Sequence, residues 1–226
     1  MSGVVVAETM RRHLTSIAFW SFLALLAIFA MGGGNMGGGR MWPMLVLALA
    51  VVTGGGVIGP EFSSGTLQLI LVKPVNRAVY LLSRVAGVVA ITWLAAVAAA
   101  GFEAAGAALD GRTQWTAIGI ALSSSFADSL LIVALLAFFG SVTRAYYNVV
   151  IWVGAQLLLL ILLAFGARRF PPELLKAIRW VHGNLFPETP SGFDRNWLLL
   201  VACNAAIALL LACLAFRNRE VPYGAD

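Results

Sequence analysis

Few side chains in this sequence can do chemistry, and several of those that can stand inside apolar runs. Asp128 lies within Ser123-Ser124-Ser125-Phe126-Ala127-Asp128-Ser129, with apolar residues on both sides. An ionised acid in mid-hydrocarbon costs about 2.5–3.5 kcal/mol, so a carboxyl there needs a partner or a function. Counting from a turn near Thr143, Asp128 is about 15 residues above it and Gln156 about 13, on neighbouring antiparallel helices. Asn204 falls about 12 residues from the end of the last apolar run. These three residues are expected at similar depth, as one polar layer. Two roles are open to it. A protonated Asp128 can hydrogen-bond Gln156 or a serine as glue between helices, or the layer can line a path for substrate, in one version with Asp128 as a proton site of an ion-coupled carrier.

Other chemistries find little support. A serine nucleophile needs a base at its own depth, yet both histidines lie outside the apolar runs and Ser63-Ser64 sits in a polar segment. His182 has no cysteine or histidine near it in sequence, so no metal is expected. Cys203 and Cys213 are about 15 Å apart along one helix, too far to pair or to share an ion. The glycine tracts 32–34, 37–39 and 54–56 lack the Lys and Ser/Thr of a phosphate-binding loop. The first two read as an external turn, and Gly54 to Gly56 with Gly59 as close helix packing or a hinge.

The elements that position these groups follow from composition. The 226 residues are 61% hydrophobic and 11% charged, with a mean hydropathy of +0.91; a soluble domain carries about 25% charge. The apolar surface requires lipid as its solvent. Runs at 14–31, 42–60, 85–108, 116–140, 146–167 and 197–216 are each long enough to cross a bilayer. They lack the alternation of a barrel, so the fold class is all-α: a single polytopic transmembrane domain over 1–226 with six transmembrane helices. Arg11 and Arg12 precede the first run and only Arg40 follows it, which places the N-terminus in the cytoplasm. Six crossings bring the C-terminus to the same side, along with Lys73, Arg77, Arg84, Arg144, Arg217 and Arg219. Trp42, Trp115 and Trp197 then begin the second, fourth and sixth spans at the outer interface, where indole rings are favoured. Glu103, at the outer end of the third span, is expected to reach water. No A-x-A site follows the first run, so it reads as a span, not a cleaved signal.

The segment 61–84 is the most informative. Pro60 and Glu61 suit a helix start, and Lys73 before Pro74 suits its end. Leu67, Ile70 and Leu71 recur on one side, with Ser63, Ser64 and Gln68 available to the other, giving an amphipathic helix of about 13 residues at the membrane surface. Asn76 can cap a second helix that carries Arg77, Tyr80 and Arg84 into the third span. Physics alone permits a plain surface connection. Residues 172–181 form a further short helix between the last two spans, with Leu174, Leu175, Ile178 and Val181 on one face and Lys176 and Arg179 on the other, an interfacial element on the outer leaflet.

Glu61, Gly65-Thr66, Leu69-Ile70-Leu71, Lys73-Pro74-Val75 and Arg77 resemble the signature after the second span of ABC-2 type transporter permeases, roughly E-x-x-x-G-T-x-x-x-L-L-x-x-P-V-x-R. The resemblance extends to the six-span layout but is sharp only over 61–84. It implies a coupling helix, with Glu61, Gly65, Thr66, Leu67, Ile70, Leu71, Lys73, Pro74 and Arg77 docking on a separate P-loop ATPase subunit. It further implies an exporter in the bacterial cytoplasmic membrane, built from two permease chains, identical or similar, and two ATPase copies that hold the ATP and magnesium. The chain would hold no cofactor, bind no nucleic acid and catalyse no reaction of its own. Substrates that suit an apolar path are drugs, lipids or amphipathic peptides.

Overall fold

A computed structural model describes residues 2–31, 40–58, 76–111, 114–143, 147–166, 169–185 and 194–218. These form eight helices with no strands among them: α1 Gly3–Leu14, α2 Ile17–Met31, α3 Trp42–Gly55, α4 Arg77–Leu109, α5 Trp115–Val142, α6 Tyr147–Gly166, α7 Pro172–Leu185 and α8 Arg195–Asn218. The expected all-helical class holds. By length and composition α4, α5, α6 and α8 can cross a membrane, and α1 with α2 makes a fifth if the bent pair counts as one span. The run expected to span 42–60 is a shorter helix of 14 residues, followed by a turn.

The long helices owe their extent to uninterrupted apolar sequence and to their caps. Asn76 caps α4 as its spacing predicts: the side chain accepts a hydrogen bond from Ala78 N at 3.0 Å. α4 then continues without a break for 33 residues, about 50 Å at helical rise. The first apolar run does break. Between α1 and α2 the chain turns by 69° at Thr15-Ser16, where hydroxyls compete for helix carbonyls. Thr15 Oγ1 donates to Arg11 O and Arg12 O, and the Trp20 indole donates to Leu14 O at 2.7 Å. The carbonyls left open at the end of α1 are thus met locally, and the bend lets α1 lie across the bundle instead of extending it.

α4 is the axis on which the others assemble. α1 crosses its beginning and α2 and α3 run beside it, while α5 packs against α4, α3 and, most extensively, α8. Ala95, Ala96, Ala99 and Ala100 on α4 allow Leu26 of α2 and Val46 and Leu49 of α3 to approach closely. Gly87 lies under α1: a Cβ there would sit 2.7 Å from Thr9 Cβ and 3.1 Å from Val6 O. Near the other end, a Cβ on Gly106 would sit 3.0 Å from Met31 O at the end of α2. α6 differs from the rest. Val150, Leu157, Leu158, Ile161 and Phe165 leave its surface exposed.

Candidate functional site

Most of the expected coupling residues, Glu61, Gly65, Thr66, Leu67, Ile70, Leu71, Lys73 and Pro74, lie outside the described residues. Their flanks are described and meet at one end of the bundle. Arg77, the last residue of the signature, reaches from the start of α4 to the end of α8, with Nη1 at 3.5 Å from Arg217 O. Arg84 is one helical repeat further on. The sequence suggests a surface charge, but its side chain is only 6% exposed. Its Nε donates to Val57 O at 3.3 Å and its Nη1 to Thr9 Oγ1 at 3.1 Å, so one guanidinium joins α1, the turn after α3, and α4. The rigid fork suits this junction, since it reaches several acceptors from one fixed plane.

Small polar side chains complete the junction. Ser83 Oγ accepts from Ser2 N at 2.9 Å and donates to Val79 O. Thr9 Oγ1 accepts from Arg84 and donates to Val5 O at 2.7 Å. Asn148, fully buried at the start of α6, donates to Gly55 O at 3.3 Å and to Leu136 O at 3.1 Å while its Oδ1 accepts from Val149 N. It supplies an otherwise open carbonyl at the end of α3. Sequence reasoning did not single it out. Its only local sign is an amide in the first turn of an apolar run.

At the opposite end Glu103 is partly exposed and is tied to two donors. Arg40 Nε donates to Glu103 Oε1 at 2.6 Å and the Trp42 indole to Oε2; Arg40 Nη2 donates to Gln114 Oε1 at 2.9 Å. Trp42 is accordingly 1% exposed, and Trp197 is also buried, so of the three tryptophans read as interfacial anchors only Trp115 stands exposed. An indole satisfied by a carboxylate inside the protein has no need of headgroups.

The expected polar layer is placed as follows. Asp128 is buried on α5 among Ser124, Ser125 and Ser129. The serine hydroxyls donate to carbonyls of their own helix, Ser124 and Ser125 to Ala121 O and Ser129 to Phe126 O. Gln156 is half-buried on α6. Asn204 of α8 gives its Nδ2 to Asn184 O at 2.7 Å. That bond joins the far end of α7 to α8 about nine residues, or about 13 Å, along from Arg195.

At the α1–α2 bend, Arg12, His13, Ser16 and Arg84 line a pocket of about 210 Å³ together with Phe19 and Leu49. His13 is held below its ordinary pKa by burial first, then by Arg84 and Arg12. Among the described residues no group of three His, Cys, Asp or Glu side chains could hold a metal ion. The chain matches no protein-family model and no curated protein.

Proposed function

We propose that this chain is the membrane-spanning subunit of an ATP-driven exporter, moving a hydrophobic or amphipathic substrate with energy from a separate P-loop ATPase. The observation that carries this reading is the signature 61–77, which ends where Asn76 starts an unbroken helix. In this reading, a push delivered at the start of α4 would become a rotation or shift of the whole bundle. The junction at Arg84 supports it, since α1 and the turn after α3 are fastened to the same stretch of α4.

Six crossings accord with the contacts. Met31 and Trp42 meet α4 at Gly106 and Glu103, whereas Val57 meets it at Arg84. Along α4 these levels are about 28 Å apart, close to the roughly 30 Å of a bilayer core. α3 with the turn after it thus runs along about that length of α4, which supports counting it as a crossing, short as it is. The basic residues Arg11, Arg12, Arg77, Arg84 and Arg217 gather at the end where α4 begins, the cytoplasmic end by the positive-inside rule.

The test is co-purification with an ATPase encoded beside this chain, followed by transport in vesicles. Glu61→Ala with Arg77→Ala is expected to lower ATP-driven export at least tenfold while leaving the permease in the membrane. The second reading, a proton-coupled carrier, draws on the buried carboxyl of Asp128. Export that stops with a protonophore, survives ATP depletion and is abolished by Asp128→Asn would establish that reading and overturn the first.

A further inference from the structure

The pocket beneath the α1–α2 bend is unlike the rest of the bundle. One wall carries Arg12, His13, Arg84 and the Ser16 hydroxyl; the other carries Phe19 and Leu49; no carboxylate is among the described residues that line it. Such a wall draws an anion, and a phosphate offers several acceptor oxygens to guanidinium and imidazole donors. The apolar wall asks for something more than an inorganic ion. At about 210 Å³ the pocket falls below the roughly 300–1,000 Å³ of sites for drug-sized molecules, which fits a headgroup and its first carbons. Its location adds a third constraint. It opens where α1 leaves the bundle end that collects the basic residues, and basic pockets between membrane helices on that side suit anionic lipid headgroups.

We propose that this pocket holds the phosphate headgroup of an anionic membrane lipid, with Arg12, His13 and Ser16 on the phosphate and the first acyl carbons against Phe19 and Leu49. The site would fasten the bend between α1 and α2. The assignment does not depend on the transport reading. In support, the described charged groups acting on His13 are Arg12 on its own helix and Arg84 from α4, both cationic; a bound anion offsets that field.

Native mass spectrometry of the full chain in mild detergent tests it, with phosphatidylglycerol, phosphatidylcholine and glycerol 3-phosphate as probes. One phosphatidylglycerol per chain is expected to be retained, with phosphatidylcholine and glycerol 3-phosphate held at least tenfold more weakly. Arg12→Ala combined with His13→Ala should abolish the preference, whereas Lys176→Ala combined with Arg179→Ala on α7 should preserve it. Equal retention of both lipids, or equal loss in both double variants, overturns the proposal; glycerol 3-phosphate binding as tightly as the lipid reassigns the site to a soluble phosphate. Imidazole NMR on the unmodified chain is an independent readout, because the sequence has only two histidines. Phosphatidylglycerol should raise the titration midpoint of His13 and leave that of His182 in place. An unmoved His13 overturns the proposal even if the variants fail to fold.

Discussion

Several polar side chains tie the apolar core of this bundle to distant parts of the chain. Glu103 receives the Arg40 guanidinium and the Trp42 indole, from residues 63 and 61 positions away. Replacing Glu103 by Leu would leave both donors without their acceptor, at a cost of about 1–3 kcal/mol. Glu103→Gln keeps an acceptor oxygen and should recover part of that loss, while the exposed Trp115→Ala should be near neutral. Unfolding in detergent, read by tryptophan fluorescence or by loss of monodispersity on heating, orders the three. The contrast with Asn76 explains what the sequence makes legible at this scale. A cap acts within two residues, so its type and position announce it. Glu103, Arg84 and Asn148 act through partners 12 to 93 positions away, and a hydropathy reading sees only a charge or amide near the end of an apolar run.

Among the elements, α4 is the one to which α1, α2, α3, α5 and α8 all attach. Its contact with α1 depends on Gly87, where a side chain would strike Thr9 and the Val6 carbonyl. Gly87→Val should therefore lift α1 off α4 and break the Ser2–Ser83 and Arg84–Thr9 bonds, costing about 1–3 kcal/mol as overpacking. Amide exchange over residues 3–14 would rise by at least tenfold. Gly101→Val, at a glycine with open space around it, should leave exchange there unchanged. The long helices were legible because twenty or so apolar residues admit little else. The broken first run and the packing of α7 against α8 were not. Both depend on hydroxyls and amides choosing backbone carbonyls, Thr15 and Trp20 at the bend and Asn204 at α7, and composition is blind to that choice.

At the scale of the whole molecule, the two ends of the described chain come to the same place. Ser2 N meets Ser83 and Arg217 O meets Arg77, both near the start of α4. If the proposed six crossings hold, reporters fused to the two termini should respond on the same side of the membrane. Opposite responses would overturn the six-crossing reading. The all-helical class and four of the expected spans could be read from the sequence; the expected coupling residues from Glu61 to Pro74 lie outside the described residues and rest on the resemblance of their pattern. The docking of α1 also has a consequence for biosynthesis. Its partner Ser83 lies 81 residues downstream, and at about 5–20 residues per second the ribosome reaches that position about 4–16 s later. During that interval α1 has no protein surface to settle on. Its exposed Arg11 and Arg12, beside an early hydrophobic segment, are expected to keep α1 at the membrane surface until α4 is made.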